Sequence, residues 1–64
     1  MKNYIFGRAI YSNGTTKTSR NFVDSKAFSR WANAQFRKDE EVTVEEYEIN
    51  RADWAIIKVA TWHG

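Results

Sequence analysis

Two sets of charged residues in this 64-residue sequence have the types and spacing to bind another molecule. The first is a basic stripe whose members, four, three and four positions apart, align on one face of a predicted helix: Lys26, Arg30, Asn33 and Arg37. It could bind an anion, either a phosphate backbone or an acidic patch on a protein. Arg8, Lys17 and Arg20 extend the stripe if they project the same way. The alternative is a helix face that contacts only solvent.

The second set is acidic and follows the helix. Glu45, Glu46 and Glu48, with the neighbouring rings of Tyr47 and Trp54, form a candidate surface for a basic protein partner. Two structural alternatives are open. The acidic strand could lie beside the basic hairpin, so that the charges offset each other across the sheet. Alternatively, the charges could protect an edge strand against aggregation.

Both sets reflect a division of charge along the whole chain. Residues 1–38 carry eight bases and one acid, which gives +7, and residues 39–64 carry seven acids and two bases, which gives −5. The sum is the net charge of +2. The chain is therefore dipolar, and this polarity is the most informative feature of its composition.

Residues for catalysis and for cofactor binding are missing. The sequence has no cysteine, and its single histidine, His63, is the next-to-last residue, where chain ends tend to fray. A nucleophile therefore lacks a base, and zinc lacks its four ligands. The three glycines are too scattered for a phosphate-binding loop, and residues 39–41 lack the ligand pattern of a calcium loop. We expect no enzyme, no catalytic residue, no metal and no cofactor.

The elements that would position these residues begin with a hairpin. Residues 4–11 are rich in aromatic and β-branched types and predict a strand. Asn13 and Gly14 tolerate the positive φ angles of a tight turn, and residues 15–23 return as a polar second strand. Asp24 or Ser25 can cap a helix over residues 26–38. One continuous stripe of this helix should face the sheet: Phe28, Trp31, Ala32, Gln35 and Phe36.

Two further strands are predicted after the helix. In residues 41–49, Val42 and Val44 share one face. Tyr47 and Ile49 share the other face, and this change of phase indicates a bulge or a register change at residues 45–46. Residues 54–62 read as a fourth strand whose first face carries Trp54, Ile56, Ala60 and Trp62. Its second face carries Ala55, Ile57, Val59 and Thr61.

The order of the elements predicts a single α+β domain over residues 1–64. Its architecture is ββαββ, a four-stranded antiparallel sheet with one helix packed on one face. A chain this short buries only about 60% of its unfolded surface, so its stability should be marginal. No apolar run approaches the roughly 18–20 residues of a membrane span, and Arg8 interrupts any signal-peptide core. We expect a cytoplasmic protein that binds no membrane.

Aromatic residues exceed what one helix can cover. A single helix covers one face of the sheet, so some rings should be exposed on the other face: Tyr4, Tyr11, Tyr47, Trp54 and Trp62. Exposed Tyr and Trp side chains are frequent hot spots of protein interfaces. They also stack on the bases of single-stranded nucleic acids. Alternatively, the uncovered face could form a homodimer.

Part of the chain resembles small proteins that are common in bacteriophage genomes. The resemblance rests on residues 21–36 and 40–49, a helix with a Trp-Ala-x-x-Gln-aromatic stripe followed by an acidic strand. Residues 31–36 are similar to the corresponding helix of a T-even phage antitoxin that neutralises a host endoribonuclease toxin. No binding residue is transferred from that protein. The resemblance implies a class, a non-enzymatic phage protein that blocks a host enzyme or defence factor.

These observations favour a function based on binding. The first hypothesis is a phage-encoded inhibitor or modulator of a bacterial host protein, acting in the host cytoplasm. The second is a small nucleic-acid-binding module that uses the basic helix face and the hairpin, and seven acids in residues 39–64 count against it. A structural or assembly protein is a third alternative.

Overall fold

The computed structural model of the protein describes residues 3–63, which form five elements in the order ββαββ. The elements are β1 (Tyr4–Ile10), β2 (Thr16–Thr18), α1 (Ser25–Lys38), β3 (Thr43–Ile49) and β4 (Ile56–His63). The strands form one antiparallel sheet in the order β2-β1-β3-β4. The predicted α+β class and element order are therefore confirmed. Within residues 3–63, no helix has the length and apolar character needed to cross a membrane.

The hairpin between β1 and β2 closes at the predicted turn. Gly14 has a φ of 88°, and the Asn13 side-chain oxygen accepts hydrogen bonds from the backbone and the hydroxyl group of Thr15. The predicted second strand, residues 15–23, was too long, because β2 ends at Thr18. Ser19 then bonds Gly7 through its side chain and its backbone, and the chain gains one residue before Phe22 pairs with Ile5. This extra residue interrupts the ladder.

Helix α1 begins at a side-chain cap. Asp24 accepts a hydrogen bond from the backbone N–H of Lys26 at 2.9 Å, which confirms one of the two predicted caps. The predicted stripe faces the sheet, with Phe28, Ala32 and Gln35 buried and the rings of Trp31 and Phe36 packed against the core. The pattern of apolar residues was therefore a sound guide to the buried side of the helix.

The core lies where α1 crosses β1. Its buried members come from β1, α1, β3 and the connections that precede α1 and β3, and none comes from β2 or β4: Ala9, Phe22, Phe28, Ala32, Val42 and Val44. Gly7 and Ala9 have small side chains, so the helix can pack close to β1. A Cβ atom on Gly7 would lie 2.4 Å from the Trp31 ring. We call this side of the sheet the helix face and the opposite side the open face.

Asp39 ties the end of the helix to the first hairpin. Its Oδ2 atom accepts hydrogen bonds from the backbone N–H and the hydroxyl of Ser12 at 2.7 and 2.8 Å, and its Oδ1 atom accepts one from the Glu41 N–H. These donors, the Ser12 N–H first, hold the pKa of the Asp39 carboxyl below its usual value. Asp39 therefore anchors the connection between α1 and β3 to the first hairpin.

The sheet contains a bulge, but it lies in β4 and not in β3. Residues directly opposite each other in an antiparallel pair share a face, and β3 pairs with β1 without interruption from Thr43 to Ile49. Against β4, however, Glu46 pairs with Ala60 and Tyr47 pairs with Lys58, so Val59 is the extra residue. The predicted register change is therefore present, between Glu46 and Tyr47, and the extra residue belongs to β4.

This bulge also changes the faces of β4. Ile57, Ala60 and Trp62 lie opposite helix-face residues of β3, whereas Ile56 and Lys58 lie opposite open-face residues. The predicted alternation over residues 54–62 fails because the extra residue inverts it halfway. Trp54 is not part of the strand, since it lies in the preceding turn with a φ of 60°.

Candidate functional site

The fourth strand forms an exposed apolar edge. In the sheet order, β4 has β3 on one side and no strand of the described chain on the other. Five large apolar side chains are 43–61% exposed, four of them in β4 and one in the preceding turn. We call them the β4 surface: Trp54, Ile56, Ile57, Val59 and Trp62. An exposed, long, apolar edge strand presents unpaired backbone groups together with side chains that gain by leaving water.

The two edges of the sheet differ sharply. At the far edge, β2 has three residues with the sequence Thr-Lys-Thr, all exposed. Short length, polar side chains and lysine are the usual means by which natural edge strands avoid pairing. At the other edge, β4 has eight residues, and its single Lys or Arg is Lys58. The β2 edge is therefore short, polar and well protected, whereas the longer, apolar β4 edge carries only Lys58 and the bulge at Val59 as protection.

A groove separates α1 from β4, because the helix packs over β1 and leaves the outer part of the helix face uncovered. The groove has a volume of about 320 Å³. Its lining is aromatic on both sides, with Phe28 and Phe36 from the helix and Trp62 from β4, and Glu46 also lines it. Trp62 donates a hydrogen bond from Nε1 to a Glu46 oxygen at 3.0 Å. This bond fixes the indole as one wall of the groove.

The acidic residues of β3 are occupied within the domain. Glu45 lies on the open face between Arg8 and Lys58, at 3.1 Å from each. Glu46 and Glu48 lie on the helix face, where Glu46 accepts the Trp62 hydrogen bond and Glu48 accepts one from the Asn3 side chain. The three carboxylates therefore lie on two faces and do not form one acidic patch. This arrangement matches the alternative in which charges offset each other across the sheet.

Glu45 gives the fold a specific dependence on pH. The hydrogen bond from Lys58 is the main cause that lowers the pKa of Glu45, and the Tyr47 hydroxyl and the charge of Arg8 act in the same direction, while burial opposes them. Since the folded-state pKa lies below the unfolded value of about 4.3, the stabilisation is present above that pH. It is lost as pH falls through the folded-state pKa.

Replacing Glu45 by glutamine should reduce the free energy of unfolding by about 0.5–1 kcal/mol at pH 7, a modest value because both cations are about half exposed. The difference between wild type and variant should shrink towards pH 3. Urea unfolding at both pH values measures it. Glu40→Gln, at an exposed position, is the matched control. A Glu45→Gln effect that is equal at both pH values would contradict the ion-pair account.

The basic stripe remains available on the helix. Lys26, Arg30, Asn33 and Arg37 are all exposed. Within residues 3–63, none of the three cations forms an ion pair with an acid. Among the hairpin cations, Arg8 does not extend the stripe, because it bonds Glu45 on the open face, whereas Lys17 lies opposite Ala9 on the helix face. Arg20 lies over the Phe22 ring, 4.5 Å from its centre. The stripe is therefore a narrow cationic row on α1.

The open face of the sheet is largely covered by its own side chains. Phe6 and Tyr47 stack with ring centres 5.0 Å apart, and Tyr4 stacks on Trp54 at 6.0 Å. Arg51 lies over the Tyr4 ring at 4.6 Å. These contacts occupy the ring faces that a nucleic-acid base would need. Tyr47 is thus a member of an internal stack, whereas Trp54 keeps 61% of its surface exposed.

Sequence reasoning missed most of the β4 surface. The sequence indicated Trp54 as a binding residue and Trp62 as an exposed ring, but its charge pattern did not indicate Ile56, Ile57 or Val59. The available signal was an apolar strand on both faces in a sheet with only one helix to cover it. Edge position was not visible, since it depends on the strand order.

The β4 surface and the groove offer contacts for a partner. Within residues 3–63, no group of three or more His, Cys, Asp or Glu residues is arranged to hold a metal ion. The β4 surface offers apolar side chains and a strand edge, and the groove adds one carboxylate. No protein-family model matches the chain, and no curated protein or solved structure is significantly similar to it.

Proposed function

We propose that this protein is a non-catalytic protein-binding module and that β4 is the strand through which it binds. The observation that carries the proposal is the exposure of Ile56, Ile57, Val59 and Trp62 along an eight-residue edge strand. A partner strand added at such an edge gains main-chain hydrogen bonds, and the alternating side chains supply specificity.

The size of the apolar surface supports this proposal. Together with Trp54, these side chains expose on the order of 500–600 Å², given the 150–250 Å² that a single aromatic ring can bury. This area is divided between the two faces of the edge, because Ile57 and Trp62 lie on the helix face and Ile56 lies on the open face. The strand also carries no free charge that would oppose a partner, because Lys58 already bonds Glu45.

The proposal is tested by placing a charge on the edge. Ile57→Lys should abolish binding, because a partner strand would have to bury an unpaired ammonium group. Val23→Lys is the matched control, since Val23 is 54% exposed and lies outside β4. Tagged wild type and both variants are used as bait for soluble bacterial protein and for untagged copies of the chain. Recovery of the same bound protein by wild type and Ile57→Lys would refute binding through β4.

A narrower version of the proposal follows from the resemblance described above. In this version, the protein is phage-encoded, the partner is a bacterial enzyme or defence factor that the chain inhibits, and the compartment is the bacterial cytoplasm. The support is the similarity of residues 31–36 to a phage antitoxin helix. An activity assay of the recovered partner, with wild type and with Ile57→Lys, decides whether binding inhibits it.

Nucleic-acid binding is a second candidate, and one observation favours it. The cations of the basic stripe are exposed and form no ion pair with the described acids, whereas the acid Glu45 is paired on the open face. A phosphate backbone could contact Lys26, Arg30 and Arg37 in a row. A gel shift at low salt, repeated with Arg30→Glu, measures this activity. The occupied rings of the open face count against base stacking.

A further inference from the structure

We infer that the partner of β4 is a second copy of this chain, paired antiparallel about a two-fold axis perpendicular to the sheet. This inference rests on the proposed function, because it names the strand that the β4 edge accepts. The dimer would contain one continuous eight-stranded sheet, with both helices on the same side.

The bulge determines the register of this pairing. Two residues that lie opposite each other in an antiparallel pair share a face of the sheet. In a regular strand, residues separated by an odd number of positions lie on different faces, so they cannot lie opposite each other across a two-fold axis. In β4, Val59 is an extra residue, so Ile57 and Trp62 both lie on the helix face. A register centred between Val59 and Ala60 uses all eight residues of β4 and places Ile57 opposite the partner's Trp62.

Two of the three other direct pairs in this register are also consistent, and the third, at the centre, joins the extra residue Val59 to the partner's Ala60. Lys58 and Thr61 lie opposite open-face residues of β3, and so do Ile56 and His63. Lys58 therefore meets the partner's Thr61, and Ile56 meets the partner's His63, with both pairs on the open face. No two like charges are opposite each other, which would destabilise the sheet. The strand is thus complementary to itself.

Apolar contacts on both sides of the two-fold axis favour pairing with a second copy, although with modest affinity. Ile57 packs against the partner's Trp62 twice, because the two-fold axis repeats the contact. The four exposed apolar side chains of β4 offer on the order of 400 Å² per protomer, about half of the roughly 800 Å² that each partner buries in a standard interface. The backbone edge and the outer wall of the groove supply the rest. We therefore expect a weak dimer, since this apolar area lies at the low end for specific interfaces.

Charge does not oppose this dimer. The cations of the basic stripe lie on the exposed side of α1, and α1 packs over β1, two strands away from β4 in the sheet order. The axis of the dimer is therefore remote from both helices. The single cation of β4, Lys58, is paired with Glu45 of its own chain at 3.1 Å.

Sedimentation equilibrium of the full chain over about 10 μM to 1 mM tests the inference. The wild-type mass should rise from that of the 7.5 kDa monomer towards twice that value. The Ile57→Lys/Trp62→Lys variant should remain monomeric, with association weakened at least 100-fold, and Val23→Lys should dimerise like the wild type. Both β4 positions are exposed, and circular dichroism shows whether each variant retains its fold.

Disulfide trapping tests the register, and the absence of cysteine from the sequence makes it unambiguous. Lys58→Cys/Thr61→Cys should yield a covalent dimer on oxidation, and the matched variant Thr16→Cys/Thr18→Cys on β2 should not. A wild-type chain that stays monomeric at 1 mM would overturn the inference that the partner is a second copy. If that monomer still recovers a different protein in an Ile57-dependent manner, the proposed function stands. A dimer that persists in Ile57→Lys/Trp62→Lys would exclude β4 as its contact.

Discussion

Replacing Gly7 by valine is expected to unfold the domain at 25 °C. A Cβ atom at this position would lie 2.4 Å from the Trp31 ring and 2.8 Å from the Phe28 ring. Phe28 has little room to move, because it is 5% exposed and packs against Phe22, and Trp31 in turn packs against Phe28. Overpacking by a single methyl group costs about 1–3 kcal/mol, and valine carries two further methyl groups beyond its Cβ atom. A domain of this length has a stability of only about 3–10 kcal/mol.

Thermal and urea unfolding followed by circular dichroism measure this effect, with Gly7→Ala as the milder variant. Gly14→Ala is the control for the loss of glycine, because Gly14 has a φ of 88° and open space around it. Its cost should be about 1–2 kcal/mol from the left-handed backbone alone. Trp31→Leu should reduce the cost of Gly7→Ala, since the shorter side chain leaves room for the methyl group. A Gly7→Ala variant as stable as wild type would mean that the helix does not lie this close to β1.

The sequence predicted those features of the fold that depend on local pattern. Asn13 and Gly14 specify a tight turn through their tolerance of positive φ, and Asp24 supplies a hydrogen-bond acceptor for free helix N–H groups. The apolar spacing in residues 26–38 correctly selected the side of α1 that packs on the sheet. Each of these signals acts over a few residues, so it can be recognised without knowledge of the tertiary structure.

Features that depend on pairing between distant strands could not be predicted. The bulge at Val59 exists only relative to β3, and the alternation of apolar residues in β4 gave no sign of it. Similarly, β2 ends early because Ser19 bonds Gly7, 12 positions away in the chain. Alternation indicates where a strand lies, but two strands must be paired before an extra residue in one of them can be recognised.

The candidate site illustrates the same limit. Charge is visible in composition, so the sequence pointed to Glu45 and to the basic stripe. The partners of Glu45 are Arg8 and Lys58, on the two strands that flank β3. The strand order therefore places two cations beside the Glu45 carboxylate. It also leaves β4 at an edge of the sheet. Exposure of apolar residues such as Ile57 is a property of topology, and local sequence does not encode it.

Replacing Gln35 by alanine should cost about 2–4 kcal/mol of stability, which is a large part of the total for this domain. Gln35 is 2% exposed, and its side-chain oxygen accepts a hydrogen bond from the Tyr11 hydroxyl. Its amide nitrogen donates to the Trp31 carbonyl oxygen at 3.1 Å. Alanine would leave a cavity and remove the partner of the Tyr11 hydroxyl, and both effects destabilise the folded state.

Removing both partners of this hydrogen bond should cost less than removing one. Tyr11→Phe alone leaves the Gln35 oxygen buried without a donor, which should destabilise the domain by about 1–3 kcal/mol. Replacing both partners by apolar groups of similar shape can leave the stability nearly unchanged. We therefore expect Tyr11→Phe/Gln35→Leu to be more stable than the sum of its single variants predicts. Urea unfolding of the four proteins gives the coupling energy as a double-mutant cycle. Strict additivity would show that the hydrogen bond contributes nothing, and that Gln35 stabilises the domain only by filling the space between β1 and α1.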